Sequence, residues 1–273
     1  MISIQIAIPT YNHGEYICDA IDSVISQSFR DWQLHVVDNN SSDSTIQSIR
    51  SKYSKLVDSR KIIINSFNKT VPVMQNFNRC LDLLVPCKYF KILCSDDILD
   101  KDYLKNAYDK LESLPENYVA YSCAINNFHN STFINKREYG KYIFNIIFES
   151  VFFKNQIGCP SSLFFSYSAY KNIRFNESNN YSGDLLFFIN PLVKKNKKIF
   201  LDKRAFVKVR MHSASNTSKN FMKKIFFKER YNARYLLLND YKINNFLIHI
   251  ICISFYLLEK LYGLLCKLNF FKH

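Results

Sequence analysis

The stretch ISIQIAIPTYNHGEYICDAIDSVISQSF, residues 2–29, carries the decision about the fold. Residues 2–8 read as a β-strand that Pro9 ends. After the turn residues, Ile17, Ala20, Ile21, Val24 and Ile25 recur on one helical face. The same unit then repeats. WQLHVVD (32–38) is a strand ending at Asp38, and NNSSDST supplies turn and cap residues for a helix through Ile46 and Ile49. KIIIN (61–65) is a third strand, VMQNFNRCLDLL (73–84) a helix, and KYFKILC (88–94) a strand stopping at Ser95. Repeated strand-helix units predict an α/β fold with a doubly wound, mostly parallel, Rossmann-like sheet, in which ligands gather at the carboxyl ends of the strands. Three polar elements fall there: PTYN (9–12), Asp38 and the adjacent Asp96 and Asp97.

Side by side at a strand end, Asp96 and Asp97 each raise the cost of ionising the other. Either something positive sits between them or they cap a turn. Asp100 is available as a cap for the helix KDYLKNAYDKL (101–111), which frees the pair for another task.

With 273 residues, 48% of them hydrophobic, and 24 Phe and 18 Tyr, the chain can bury a sizeable core and is not of the disordered class. It opens directly on a strand-like run without a basic and apolar leader, so the expectation is a cytoplasmic protein. Eight cysteines (18, 80, 87, 94, 123, 159, 252 and 266) lie singly in apolar surroundings with no CxxC pair, which suits reduced core thiols. Residues 1–110 carry 13 basic and 13 acidic side chains, and residues 111–193 carry six of each. Of the net charge of +14, residues 194–234 carry +12, with 14 Lys or Arg against Asp202 and Glu229, and the remainder to His273 carries four basic against two acidic side chains. Such a patch suits nucleic acid, an anionic membrane or a diphosphate.

Taken in order, the strand followed by PTYN, then HVVDNNSSDST, NFNRCLDLL, FKILCSDDILDKDYL, IGCPSSLFF, YSGDLLFF and VRMHSASNTS resemble the inverting family 2 glycosyltransferases, of the bacterial surface-polysaccharide type. They cover roughly residues 2–218. No G-x-G-x-x-G follows the first strand and there is no Walker loop. The resemblance implies a GT-A nucleotide-sugar fold and transfer of a sugar from a nucleotide diphosphate donor, a UDP-sugar, to a glycan or polyprenyl-linked glycan hydroxyl.

The same resemblance implies the roles of particular residues. Pro9, Thr10, Tyr11, Asn12, Asp38, Asn68, Asp96 and Arg210 would contact the nucleotide, with Asp38 accepting a hydrogen bond from the base. Asp38 has a plainer reading as a helix cap, for which Asp43 is better placed. Asp97 and His212 would hold Mn²⁺ or Mg²⁺, a hard cation that needs few protein ligands beside the substrate phosphates. Strand alternation in AFVKVR (205–210) carries Arg210 and His212 onto one face. Asp184, at the start of an apolar helical run, would be the catalytic base; many relatives have an acid just before it, where this chain has Gly183.

Three regions follow: 1–110 as the nucleotide-sugar half of one domain, 111–216 as its acceptor and catalytic half, and 217–273 as a basic amphipathic helical appendage. YIFNIIFESVFF (142–153) reads as a helix. In the appendage Lys219 and Lys223, Lys224 and Lys228, and Arg230 and Arg234 stand four apart, a spacing that suits peripheral contact with an anionic membrane. FLIHIICISFYLL (246–258) falls short of the roughly 20 residues needed to span a bilayer. Two other readings compete. A sugar nucleotidyltransferase requires a Gly-rich basic loop that PTYNHGEY lacks, and a nucleic-acid module would use 194–234 alone. The transferase reading expects no nucleic acid among the partners.

Overall fold

The computed structural model describes residues 2–129, 132–137, 146–152, 155–180, 182–212, 224–240 and 245–267. Its strands are β1 (Ile4–Thr10), β2 (Trp32–Asp38), β3 (Ile62–Ser66), β4 (Tyr89–Ile92), β5 (Ile98–Leu99), β6 (Tyr118–His129), β7 (Thr132–Arg137), β8 (Leu163–Ser166) and β9 (Lys198–Arg210). The helices are α1 (Ile17–Ile25), α2 (Thr45–Lys52), α3 (Ser54–Asp58), α4 (Val73–Asp82), α5 (Tyr103–Glu112), α6 (Ile146–Phe152), α7 (Tyr167–Tyr170), α8 (Gly183–Lys194), α9 (Lys224–Asp240) and α10 (Asn245–Lys267).

One sheet runs through the first two regions, in the order β3-β2-β1-β4-β8-β6-β9-β5, with β7 paired to β6. The first four strands are parallel. β8 joins β4 and β6 antiparallel, and β6 pairs β9 in parallel. All seven residues of β1 are buried because helices cover both faces of the sheet. Ile4, Ile6 and Ile8 pack with Ile17, Ile21 and Val24 of α1 and Leu104 of α5. On the opposite face Phe90 and Ile92 pack with Met74 and Phe77 of α4 and with Phe187 and Phe188 of α8. Much of the phenylalanine content belongs to that second core. The Phe165 ring lies 5.0 Å from Phe90, 4.9 Å from Tyr170 and 5.6 Å from Phe187, and Phe175 stacks on Phe187 at 4.0 Å.

Two local expectations change. α1 stops at Ile25 because Gln27, fully buried, donates to the Asp100 carbonyl at 2.7 Å and accepts the Leu104 N–H at 2.9 Å. Asp100 does not cap α5 with its carboxylate; its main-chain carbonyl takes the Tyr103 N–H at 3.0 Å. Of the helix expected over 142–153, the described part is Ile146–Phe152.

The C-terminal pair departs most from expectation. Lys219 and Lys223 lie outside the described residues. Arg230 and Arg234 are turned into the fold instead of forming an exposed basic stripe. Arg234 is fully buried, bonds Glu259 of α10 at 2.5 and 3.0 Å and the Phe152 carbonyl at 3.2 Å, and lies over the Phe255 ring. Arg230 reaches the same glutamate at 2.6 Å and the Val151 carbonyl at 3.1 Å. A buried guanidinium needs a paired anion and acceptors for its donors, and Glu259 with the last turn of α6 supplies both. Away from this clamp α10 exposes Leu247, Ile250, Ile253, Leu257, Leu258 and Leu261, spaced along one helical face. Among the described residues no helix is long and apolar enough to cross a membrane.

Candidate active site

The parallel register sets Thr10 beside Asp38, and Asp38 beside Ser66, at the carboxyl rim. The loops leaving β1 and β2 are laced together there. Asn12 takes a left-handed conformation, φ 52°, which asparagine tolerates, and its side-chain carbonyl accepts the Ser42 N–H at 2.8 Å. The Asn12 N–H donates to Ser41 Oγ at 2.9 Å. Asp43 takes the Thr45 N–H at 3.0 Å, where α2 begins, and the Gly14 N–H at 2.9 Å. Asp38 instead lies buried between the loops and accepts the Ser41 N–H at 3.1 Å. Pro9 and Thr10 are buried, and the Thr10 hydroxyl has no hydrogen-bond partner among the described residues. Tyr11 and Asn68 are exposed. Asn39 closes it from behind, with bonds to both main-chain groups of Val71 at 2.9 Å.

The acidic pair is met by residues more than a hundred positions away. β5 pairs antiparallel with β9, Ile98 opposite Lys208 and Leu99 opposite Val207, a register that carries Arg210 and His212 to Asp96 and Asp97. The Arg210 N–H donates to the Asp97 carboxylate at 3.1 Å, and its Nε donates to the Asp96 carbonyl at 3.1 Å. Its guanidinium lies between the Tyr16 and Phe128 rings and pairs with Asp19 of α1 at 2.7 Å. His212 Nε2 is 2.9 Å from Asp96 Oδ2. His13 packs edge-on to His212, 6.2 Å between centroids, and bonds Ser95 Oγ at 2.6 Å. Asp97 is 4% exposed; burial and the neighbouring Asp96 charge push its carboxyl up to about 8, against help from the Ser161 hydroxyl.

Beneath the pair lies a lysine that strand periodicity alone does not single out. Lys91 in β4 is fully buried, and its ammonium donates to the carbonyls of Pro160, Ser161 and Leu163. It also lies over the Tyr103 ring at 4.7 Å. Burial lowers it to about 8, yet three acceptors and the nearby Asp97 favour the charged form. The turn it holds starts at Gly158, φ 137°, where a Cβ would fall 2.2 Å from Ser162 Oγ. Ser161 accepts the Cys94 N–H at 3.0 Å, tying that turn to the end of β4.

Asp184 occupies the first turn of α8, its Oδ1 accepting the Leu185 N–H at 2.7 Å. Desolvation and the charge of Glu229 raise its carboxyl to about 6. Glu229 belongs to α9 and accepts the Ser182 N–H at 3.2 Å. Gly183 lies against its neighbours: a Cβ there would stand 2.9 Å from Met74 Cγ and 3.0 Å from the Asn176 carbonyl, so a larger residue requires Met74 to move aside. That contact also locates Asp184, because Met74 is in the first turn of α4, which leaves the same rim after β3. No contact joins Asp184 directly to Asp96 or Asp97 among the described residues.

A divalent cation suits the cluster. Ligand atoms of Cys94, Asp96 and Asp97 lie within 4.8 Å of one another, and the buried Nδ1 of His212 lacks a hydrogen-bond partner among the described residues. Two adjoining carboxylates, each raising the cost of ionising the other, call for positive charge.

Known proteins share this architecture. Staphylococcus aureus TarS residues 1–349 in complex with UDP-GlcNAc match with a TM-score of 0.68 at 17% identity, covering 93% of this chain and 71% of that one. The mannosyltransferase PcManGT from Pyrobaculum calidifontis, in complex with GDP-Man and Mn²⁺, matches at 0.66 and 13% identity, over 96% of this chain and 71% of that one. Both likenesses are of fold, the GT-A fold. In sequence, the poly(ribitol-phosphate) β-N-acetylglucosaminyltransferase TarP of Staphylococcus aureus is 30% identical over 113 residues, 40% of this chain and 33% of that protein. The chain spans 30–44% of the length of the first curated relatives it matches. The model of glycosyl transferase family 2 matches residues 5–174, well over half of the chain, and the chain therefore belongs to glycosyl transferase family 2.

Proposed function

We propose that the chain transfers a sugar from a nucleotide diphosphate donor, a UDP-sugar, to a hydroxyl of a glycan or polyprenyl-linked glycan, inverting the anomeric centre, in surface-polysaccharide synthesis. The observation that carries this reading is the meeting of Asp96, Asp97, Arg210 and His212 beside the laced loops of β1 and β2. The nucleoside would lie along Pro9, Thr10, Tyr11 and Asn12, with Asp38 taking a base N–H and Asn68 bordering the rim. Losing that donor would leave a buried carboxylate unpaired, which is how a site of this kind selects its base.

Asp97 and His212 would hold Mn²⁺ or Mg²⁺, with Asp96, read from the sequence as a nucleotide contact, as a further ligand beside them. Asp96 and His212 already face each other, while the Arg210 N–H and the Ser161 hydroxyl position Asp97 from behind. When bound, the cation neutralises charge growing on the departing diphosphate. Arg210, fixed by Asp19, adds a second positive group at that place. Asp184 would take the proton of the acceptor hydroxyl as its oxygen bonds to the anomeric carbon and the bond to the diphosphate breaks. A carboxyl raised to about 6 is a stronger base than an ordinary aspartate yet still ionised at neutral pH.

The apolar face of α10 supports a further part of the reading: the chain lies peripherally on the cytoplasmic face of an anionic membrane, where a lipid-carried acceptor is presented. Flotation with anionic liposomes at low salt is the check on this part. Failure to float, or a concentration-dependent dimer through that face, removes it. For the reaction itself, nucleotide sugars are screened with Mn²⁺ and with Mg²⁺ and read by release of nucleoside diphosphate. Release from one donor, dependent on the cation, supports transfer; tight, salt-sensitive RNA or DNA binding without any release would favour the nucleic-acid reading.

A further inference from the structure

Lys91 is a buried cation that the proposed reaction does not use. It stands in the middle of the sheet, opposite Ile6 of β1 on one side and in a strand paired to β8 on the other, with no exposure to water. An apolar residue at such a position avoids desolvating an ammonium, so the lysine calls for a reason. That reason lies in what the ammonium holds. It donates to the carbonyls of Pro160, Ser161 and Leu163, the first at 3.2 Å and the last at 2.9 Å. The remaining carbonyl of that run, Ser162, takes the Tyr103 hydroxyl at 3.0 Å.

The turn so clamped reaches Asp97 by two routes. The buried Ser161 hydroxyl accepts the Cys94 N–H at 3.0 Å, and the Cys94 carbonyl takes the Asp97 N–H at 3.1 Å, which fixes the main chain. Having accepted, the same hydroxyl still has its own proton to give, and the Asp97 carboxylate receives it. We infer that Lys91, together with Tyr103, is a positioning residue, which sets Asp97 for its work by clamping the Pro160–Leu163 turn from beneath, with Ser161 as the link; this rests on the reading that Asp97 holds a cation at the transfer site. The Arg210 N–H meets the same carboxylate at 3.1 Å from β9, so Asp97 is held from two elements. A lysine that only filled the core would stabilise the chain whatever residue 161 carries. A clamp that acts through Ser161 makes the two positions interdependent.

The test is a double-mutant cycle on the whole chain, with Mn²⁺ affinity read by electron paramagnetic resonance and folding by circular dichroism, well below the lowest Tm of the set. Ser161→Ala weakens Mn²⁺ binding by about tenfold, as expected for loss of a group that orients a ligand. In a Lys91→Met background the same substitution changes the affinity by less than about twofold, because the turn no longer presents residue 161 to Asp97. The direct effect of the lost charge is common to both arms and cancels. Where Lys91→Met does not fold, Tyr103→Phe takes its place in the cycle and reduces the Ser161→Ala effect to about threefold. Tyr170→Phe deletes a buried bond to the Phe188 carbonyl away from the turn; it lowers Tm and leaves the Ser161→Ala effect whole. Equal effects of Ser161→Ala in the wild-type and clamp-deficient backgrounds, or no effect in either, overturn this inference and leave Asp97 at the site. A wild-type chain that binds no Mn²⁺ overturns the cation reading, and this inference with it.

Discussion

The carboxyl rim and the C-terminal helix pair both bury charge, but they do so differently. At the rim, Asp96, Asp97, Arg210, His212 and Asp19 are spread over α1, the β4–β5 turn and β9, and a mesh of bonds between 2.7 and 3.1 Å holds them. In α9 and α10 one guanidinium, Arg234, and one carboxylate, Glu259, bear most of the clamp against α6. A distributed mesh tolerates the loss of a member in stability and reports it in chemistry. A single buried pair does the reverse.

The largest expected effect tests the chemical side. Asp184→Asn keeps the shape of the α8 start but removes the proton acceptor, and kcat should fall by about 10²–10⁴, the range for loss of a general base. Circular dichroism and Tm should be unchanged or slightly raised, since a carboxylate that resists ionisation is gone. An unaltered kcat would remove Asp184 from the mechanism.

Arg234→Met tests the other side. It leaves Glu259 paired with Arg230 alone and the Phe152 carbonyl without its donor, a cost toward the lower end of the about 3–5 kcal/mol for breaking a buried pair. At about 2–4 °C per kcal/mol for a chain of this size, melting should fall by roughly 10 °C. UDP binding by calorimetry should change little. If the nucleotide affinity collapsed while Tm held, the two regions would not be separable as described.

The pH dependence follows from the raised carboxyl of Asp184. Below pH 6 the residue already carries a proton and accepts none, so kcat should fall on the acid limb with a midpoint near about 6. The stability effect has the opposite sense. A raised carboxyl contributes stability that is complete below its ordinary value of 3.8 and is lost as pH rises through about 6.

The smallest effect joins the two regions. Glu229 projects from α9 to the Ser182 N–H, and its charge helps to hold the Asp184 carboxyl up. Glu229→Gln should move the acid limb toward lower pH by less than about one unit, with kcat at its plateau nearly unchanged. A shift toward higher pH would contradict the sign of that coupling.

How far each region could be read from sequence follows the same division. The strands and loops of the rim were legible because alternation, helical recurrence and turn residues are local, and Asp43 was recognisable as the group that starts α2. Pairing of β5 with β9 leaves no local trace, since Asp97 and Arg210 are 113 positions apart. Lys91 reads as an ordinary strand charge until the Pro160–Ser162 turn is folded over it. Gly183, a departure from the family pattern, meets Met74 only across the interface. Arg230 and Arg234 misled because four-residue spacing describes a basic stripe and a buried clamp equally well; the deciding partner, Glu259, is on another helix.

In the proposed reaction, acidic groups at one rim of the sheet grip a cation and a nucleotide together. Isothermal titration of UDP in the presence and absence of Mn²⁺, on the wild-type chain and on Asp96→Asn, tests this most directly. One UDP per chain should bind, at least about tenfold more tightly with Mn²⁺, and the variant should lose that gain. UDP binding that is indifferent to Mn²⁺ and equal in the two proteins would contradict it.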